Sequence, residues 1–351
     1  RIVLVSAFFP LPNSQTSKPE YDVRLKNYLG TVATDIYLYT TPEMRERIQG
    51  LRGSNLTLTI DTTYSSPFDI PPLKGREEAY TRIRKKAKPR HSIESYAFAN
   101  SKPFFLHKAV ETLASRGLRY DYAFWNDAGS FHKEHEYRDW PSPDRVEEVM
   151  EEGSKLFKTN KEELIFVPMT GLPHKSMTFW QESMGPVDSR FSEGNFFGGA
   201  PSAINWWSRA YYTYHDYYLS FEIFIGKDEA ITNALILLFP ERFITVWFND
   251  PEAPAHLALK QTRPDQSFLG QCGSEWFYYQ FWLAGQQEKY AMREQWLRKV
   301  RGWLLWGWWR DQTGCQDTRL LTMREVLTRA FASGWNPPGR RVKVPESLQW
   351  R

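Results

Sequence analysis

The sequence lacks the short motifs that identify several large enzyme classes. It has no Gly-x-x-x-x-Gly-Lys-Ser/Thr phosphate-binding loop, no Gly-x-Ser-x-Gly nucleophile turn and no Gly-x-Gly-x-x-Gly dinucleotide-binding fingerprint. Those motifs cradle phosphates with backbone N–H groups or expose a nucleophile at a sharp turn. Without them, nothing in the chain favours a named phosphotransferase, hydrolase or dehydrogenase.

Cysteine and long apolar runs are also scarce. The two cysteines, Cys272 and Cys315, are too few for a disulfide framework, and whether they form a single bridge stays open. No apolar run approaches the ~20 residues that cross a lipid bilayer, which predicts no transmembrane segment in this chain. The formal net charge of +4 is too small to indicate a nucleic-acid partner. No known nucleic-acid-binding module is present either.

Apolar and aromatic side chains are abundant. Hydrophobic residues make up 41% and aromatic residues 16% of the 351 positions, which is typical of a soluble globular protein with a large core. The chain begins at Arg1 and enters a strand directly, and a glycosylation sequon begins at Asn55. We expect that a signal or anchor segment preceded it and that the protein lies in the ER or Golgi lumen, with a cytoplasmic location left open.

The first sixty residues alternate between strand and helix patterns. Apolar or alternating runs at 2–9, 35–40 and 56–60 predict strands, and the segments 21–29 and 42–51 predict the helices between them. This order favours parallel pairing with right-handed crossovers. We therefore predict an α/β fold with a mostly parallel central sheet flanked by helices.

The segment Tyr120–Gly129 is the most informative part of the chain. A buried strand at 122–125 runs into the carboxylate of Asp127, and two small residues follow it. The carboxyl ends of parallel strands border the crevice in which α/β proteins bind ligands. A carboxylate there, with room beside it, suits a divalent metal held against a diphosphate. The alternative is an aspartate that caps the turn after a core strand.

Two later segments carry the other candidate groups. The glycines in 194–199, Gly-Asn-Phe-Phe-Gly-Gly, allow a backbone to approach a ligand closely, although a tight turn explains them equally well. Asp228 and Glu229 begin a predicted helix that ends at Pro240. They are either acids aimed into the crevice, as a general base or to orient an acceptor hydroxyl, or acids that stabilise the positive end of the helix dipole.

Together these segments resemble the HtrL/YibB-type glycosyltransferase family, whose fold is GT-A-like. The likeness rests on the opening strand, Ser101–Leu106, Tyr122–Gly129, Asn195–Gly199 and the helix that begins with Asp228 and Glu229, in the order that the family shows. It covers residues 1–250, where we predict a GT-A-like catalytic domain. Residues 251–351 are predicted to form an aromatic-rich helical C-terminal extension packed on the same domain.

The resemblance implies a nucleotide-sugar donor, a UDP-sugar, with Mn²⁺ or Mg²⁺ as the cofactor, and leaves open whether the acceptor is a glycan, protein, lipid or small molecule. It makes Asp127 the metal ligand that bridges to the donor diphosphate, and Asp228 or Glu229 the catalytic acid of the site. The other positions that it places at the donor are Ser6, Ala7, Lys102, Trp125, Asn126, Gly198 and Gly199. Lys102 also has a simpler interpretation, as an exposed lysine at the start of a helix predicted over 103–116 with Ser101 as its N-cap.

The sequence departs from the GT-A pattern at residue 125, where Trp stands in place of the first acid of the Asp-x-Asp motif. A hard cation needs several oxygen ligands, so the metal needs another protein ligand, and His256 is the candidate by position. His132 and His135, which have Glu134 and Glu136 beside them, offer an alternative zinc site. A polar loop that merely contains two histidines is the favoured interpretation of that segment.

A stripe of aromatic residues has two interpretations. Trp207, Tyr211, Tyr214 and Tyr218 share one face of the helix predicted over 202–220. Core packing is favoured over an acceptor-binding wall, because most aromatic stripes at helical spacing are buried.

Three functional hypotheses remain. The first is a metal-dependent glycosyltransferase. The second is a non-catalytic sugar or nucleotide-sugar binding protein on the same scaffold, which the shortened motif suggests. The third is a different α/β enzyme, such as a nucleotidyltransferase or phosphoryl-transfer enzyme.

Overall fold

A computed structural model describes residues 1–10, 18–86, 91–257, 269–270, 272–303 and 315–348. Within them, one mixed sheet forms the centre of the molecule. Its strands are β1 (Ile2–Phe8), β2 (Asp35–Thr40), β3 (Leu58–Asp61), β4 (Tyr122–Asn126), β5 (Ile165–Phe166), β6 (Phe196–Gly199), β7 (Phe243–Val246) and β8 (Leu320–Thr322). They lie side by side in the order β3-β2-β1-β4-β6-β5-β7-β8.

The strand directions define the carboxyl edge of the sheet, where most of its strands end. The β3, β2, β1 and β4 strands are mutually parallel, and β6 is antiparallel to both β4 and β5. The β7 strand is parallel to β5, and β8 is antiparallel to β7. Thus β1, β4, β5 and β7 all end at one edge, and β6 begins there. The prediction of an α/β fold with a mostly parallel sheet is confirmed.

Helices cover both faces of the sheet. They are α1 (Lys18–Thr31), α2 (Arg45–Arg52), α3 (Glu77–Lys86), α4 (Ile93–Ser115), α5 (Pro143–Phe157), α6 (Pro201–Ser220), α7 (Asp228–Leu238), α8 (Tyr278–Trp282), α9 (Gln286–Trp303) and α10 (Met323–Phe331). The α4, α6, α7 and α10 helices share a core on one face, and α1, α5 and α8 share a core on the other. None of the helices described above is long and apolar enough to cross a membrane.

The alternation of side chains along β4 explains why two cores form. Tyr122 and Phe124 point to one face of the sheet, and Ala123 and Trp125 point to the other. All four are buried, as the continuous apolar run predicts for a strand covered on both faces. The aromatic stripe on α6 is fully buried in the core that contains Trp125, so its core-packing interpretation is confirmed.

The predicted start of α4 is wrong. The helix begins at Ile93 with Ser92 as its N-cap, and Pro103 lies inside it. A proline within a helix removes one hydrogen bond and clashes with the preceding turn. Here the Tyr212 hydroxyl donates to Asn100 O at 2.8 Å and accepts from Phe104 N–H at 3.2 Å, which satisfies the interrupted turn. Lys102 is therefore in the middle of a buried helix, and Ser101 is not a cap.

The C-terminal region differs in part from the predicted helical extension. A strand, β8, lies within this predicted helical region and is followed by α10, whose N-cap Thr322 accepts from Glu325 N–H at 3.1 Å. Helical residues are found at 278–282 and 286–303, and residues 304–314 lie outside the described part of the chain. Cys272 and Cys315 form a disulfide, which answers the question that the sequence left open.

Candidate functional site

Four acids and one lysine meet at the carboxyl edge of the sheet. Asp127 directly follows β4, and its N–H donates to Asn195 O at 2.9 Å, just before β6. Glu193 lies at the same edge, because its N–H donates to Pro168 O, beyond the end of β5, at 2.8 Å. The first turn of α7 supplies Asp228 and Glu229. The chain thus gathers these acids from three separate segments.

Lys102 of α4 lies at the centre of this group, and only 5% of it is exposed. Its Nζ lies 3.2 Å from Asp127 Oδ1 and 3.1 Å from Asp228 Oδ2, and it donates to Gly194 O at 2.9 Å. Nζ also lies 5.9 Å from the centre of the Trp125 ring. The expectation of an exposed helix-start lysine is therefore wrong.

Opposing influences set the protonation of Lys102. Burial on its own would lower the pKa of the ammonium, but the negative charges of Asp127, Asp228 and Glu229 outweigh it and hold the pKa above its usual range. The lysine is thus a fixed, desolvated cation at neutral pH. Four acids around one ammonium leave the cluster either with surplus negative charge or with bound protons. Surplus negative charge favours the binding of another cation, and bound protons favour a ligand that accepts hydrogen bonds.

Trp125 contacts Asp127 directly. Its Nε1–H donates to Asp127 Oδ1 at 2.6 Å, which fixes the carboxylate. About one quarter of the Asp127 side chain is exposed, so solvent reaches this acid. Burial raises the pKa of Asp127, and the nearby Lys102 charge opposes the increase. Asn126 is fully buried and supports the turn by accepting from the Ser130 hydroxyl at 3.1 Å.

Asp228 and Glu229 are packed closely against Gly194. A Cβ atom at Gly194 would lie 2.8 Å from Asp228 Oδ2 and 2.9 Å from Glu229 Oε1, so a side chain there would displace these carboxylates. Asp228 is 2% exposed, and its Oδ2 makes no hydrogen bond of normal geometry although Lys102 Nζ is close. Burial raises the pKa of Asp228 well above its usual range. Glu229 is half-buried, which makes it the more accessible acid.

Glu193 is the site residue that the sequence interpretation missed. It is 5% exposed, and its Oε1 accepts from Asn195 N–H at 3.3 Å. Burial and the charge of Glu229 raise the pKa of its carboxyl to about 8. The local sequence Ser192-Glu-Gly-Asn shows an acid just before a strand, but that acid reaches this edge because the strand runs antiparallel to β4.

Of the four other predicted donor positions, Ser6 and Ala7 lie near the end of β1 beside the end of β4, whereas Gly198 and Gly199 lie farther from Asp127. Ser6 is fully buried within β1, where its hydroxyl donates to Asn126 O at 2.6 Å, and Ala7 is buried in the core. Gly198 and Gly199 pair with Phe124 and Ala123, toward the opposite end of β4 from Asp127. A Cβ at Gly198 would lie 2.2 Å from Ala123 O, so strand packing explains this glycine.

His256 has the hydrogen bonding of a metal-binding imidazole. Its Nδ1–H donates to Asp250 O, which leaves the lone pair on Nε2, and Nε2 is buried without a partner. An imidazole oriented in this way is ready to bind a metal. Among the described residues, no three or more His, Cys, Asp or Glu side chains are grouped so as to hold a metal ion, and no hydrogen bond or ion pair joins His256 to Asp127. The donor chemistry of both residues nevertheless fits a divalent cation.

In the alternative zinc pair, both ring nitrogens of His135 are occupied by protein contacts. His135 Nε2–H donates to Asn27 O at 3.1 Å, and His135 Nδ1 accepts from Tyr137 N–H at 3.1 Å. Burial lowers the pKa of His135 to about 4, so the ring is neutral at physiological pH. With both nitrogens engaged, His135 supports the loop and offers no lone pair to zinc.

A scan against protein-family models gives no match to this chain, and a search of curated proteins gives no significant match either.

Proposed function

We propose that this protein is a glycosyltransferase that moves a sugar from a nucleotide-sugar, a UDP-sugar, to an acceptor hydroxyl with the help of a divalent metal. The observation that carries this proposal is the buried Lys102 ammonium among Asp127, Asp228 and Gly194 O at the carboxyl edge of the sheet. Transfer from such a donor leaves negative charge on a diphosphate, and preorganised cations stabilise that charge. The resemblance to HtrL/YibB-type proteins adds to this support.

Lys102 is suited to the leaving diphosphate. It is fixed in place by three oxygen partners, so little reorganisation is needed when charge develops nearby. Trp125 holds Asp127 in one orientation, and part of the Asp127 side chain is exposed to solvent. Asp127 would hold a divalent metal, with His256 as the proposed second ligand. When bound, the metal supplies positive charge that stabilises the diphosphate as the sugar leaves.

The acids of α7 are suited to the acceptor. Glu229 is half-buried and reachable, and it is the proposed group that accepts the proton of the acceptor hydroxyl. Asp228 is deeper and lies against Lys102, where it orients the ammonium. Gly194 keeps both acids close to the backbone before β6, since a larger residue would displace them.

A second candidate function is a non-catalytic nucleotide-sugar binding protein on the same scaffold. The replacement of the first motif acid by Trp125 favours it, because one metal ligand fewer weakens metal binding. This alternative predicts nucleotide binding without transfer to any acceptor.

The disulfide supports a location in the secretory pathway. Disulfides persist in oxidising compartments and are rare in the cytosol. Asn55, the acceptor of the glycosylation sequon, is exposed. We therefore propose an ER or Golgi lumenal location.

The nucleotide prediction is tested by thermal unfolding with UDP and, as a control, GDP, each with and without Mn²⁺. At a hundredfold excess over Kd, a ligand that binds only the folded state adds about 2.7 kcal/mol, which for a chain of this length is a rise in Tm of about 3–4 °C. We expect that rise with UDP and Mn²⁺ together and a smaller one without the metal. A folded sample whose Tm changes with neither nucleotide would contradict the proposed function.

A further inference from the structure

The turn between α2 and β3 presents an Asn-x-Thr triplet to solvent. Asn55 and Thr57 are both exposed, whereas Leu56 between them is half-buried. Gly53, with a φ of 73°, turns the chain after α2, and a Cβ atom at Gly53 would meet nothing within 4 Å. The Asn55 amide and the Thr57 hydroxyl therefore lie together on an open turn.

The polar side-chain groups of this triplet are available. Asn55 Oδ1 accepts from the Ser54 hydroxyl at 3.2 Å, and within the described part of the chain neither Asn55 Nδ2 nor the Thr57 hydroxyl makes a hydrogen bond. The backbone is held instead by Arg52, which is 2% exposed and donates from Nε and Nη2 to Thr57 O at 3.1 and 2.9 Å. A group attached to Asn55 Nδ2 would thus break no hydrogen bond of the fold.

The surface beside the turn has room for a bulky polar group. An open cleft of about 690 Å³ is lined by polar side chains and glycines, namely Arg45, Glu46, Gln49, Gly50, Gly53 and Ser54. Carboxylate, amide and guanidinium groups can all hydrogen-bond to hydroxyl groups. The cleft therefore suits the first sugars of an oligosaccharide attached at this turn.

The turn lies at the opposite end of the sheet from the candidate site. Asn55 comes just before β3, which is parallel to β2, and through β2 and β1 to β4. It is therefore at the amino edge of these strands, whereas Asp127 directly follows β4 at the carboxyl edge. An oligosaccharide at Asn55 would leave the acid and lysine cluster accessible.

We propose that Asn55 is an N-glycosylation site, whose amide nitrogen carries an oligosaccharide. Asn-x-Ser/Thr is the triplet that accepts such sugars, and Asn55 begins the only one in the sequence. The disulfide between Cys272 and Cys315 independently indicates an oxidising compartment, such as the ER lumen in which this modification is made. The inference goes beyond the proposed reaction and shares only its lumenal location.

The sugar donor is a lipid diphosphate-linked oligosaccharide. A bond forms between Asn55 Nδ2 and C1 of the first sugar, and the bond between C1 and the phosphate oxygen breaks. The lipid diphosphate leaves with the electron pair of that bond, and Nδ2 releases one proton.

The test uses the whole chain, directed into the ER of a eukaryotic host by a secretion signal. Intact mass is measured before and after treatment with peptide N-glycosidase F. Asn55→Gln and Thr57→Val both remove the triplet, and Thr57→Ser is the matched control that keeps it. We expect the wild type and Thr57→Ser to lose an oligosaccharide on treatment, with conversion of Asn55 to aspartate, and the other two variants to keep their mass.

Wild-type protein recovered from the ER without an oligosaccharide would overturn the inference, and so would Asn55→Gln that still loses one on treatment. The change in Tm with UDP and Mn²⁺ is measured on the same samples and should be equal before and after treatment. A glycosylated protein whose Tm does not respond to UDP would contradict the proposed function and leave this inference standing. An unglycosylated protein whose Tm does respond would overturn this inference alone.

Discussion

Replacing Lys102 by methionine is expected to lower the free energy of unfolding by about 3–5 kcal/mol at pH 7.5, because it leaves buried acids without their cation. Methionine keeps the length and helix propensity of the side chain, so the effect comes from the charge. The acids that lose their nearest cation are Asp127 and Asp228, which both lie within 3.2 Å of Nζ. Chemical denaturation of the two proteins measures the difference.

The loss should depend on pH in a defined direction. The pKa values of Asp127 and Asp228 are already raised in the folded protein, and removal of the ammonium raises them further. The folded variant then binds protons that the unfolded chain has released, so its stability falls as pH rises above the usual carboxyl pKa. The deficit relative to wild type should be smaller at pH 5 than at pH 8.

Two further variants test whether the loss of stability comes from the Lys102 charge. Lys108→Met, an exposed site on the same helix, should change stability by less than about 0.5 kcal/mol. Asp228→Asn added to Lys102→Met should recover part of the loss, because it removes one unpaired acid. If Lys102→Met is as stable as Lys108→Met at both pH values, the ammonium is not the centre of the cluster.

Asp127→Asn is expected to reduce the release of UDP from the preferred UDP-sugar by about a hundredfold or more. The amide keeps the shape of the side chain and its hydrogen bond from Trp125, but it loses the charge that a divalent metal requires. The assay follows UDP formation with Mn²⁺ and an acceptor panel. The effect should fall on turnover and on Mn²⁺ affinity together.

The matched control is Asp144→Asn, an exposed acid in the first turn of α5. It should retain turnover near the wild-type rate and lose only the small stabilisation of an acid at a helix start. Wild-type turnover in Asp127→Asn would show that this carboxylate has no role in the reaction.

The sequence was sufficient to locate the acids at the strand and helix ends. Asp127 follows a strand that is buried on both faces, and Asp228 begins a helix. The strand and the start of the helix are both visible in the local pattern of apolar residues. Because parallel strands end at one edge, the meeting of these acids followed from the fold class. The α/β class is confirmed, whereas the GT-A identity of the fold stays a proposal.

The features that sequence could not provide depend on distant contacts. The burial of Lys102 requires a helix to continue through Pro103, and the Tyr212 hydroxyl that permits this lies more than a hundred residues away. Glu193 enters the site because β6 runs antiparallel to β4, a direction that local pattern does not specify. The glycine pair at 198–199 signalled close strand packing, which a sequence motif cannot distinguish from close approach of a ligand.

The most direct measurement is a crystal structure of the protein with UDP and Mn²⁺, with anomalous scattering used to locate the manganese. The account predicts manganese at the Asp127 carboxylate, and the diphosphate beside Lys102 at the edge where β4 ends. Manganese and UDP bound together at another place on the protein, with Lys102 still enclosed by Asp127 and Asp228, would contradict it.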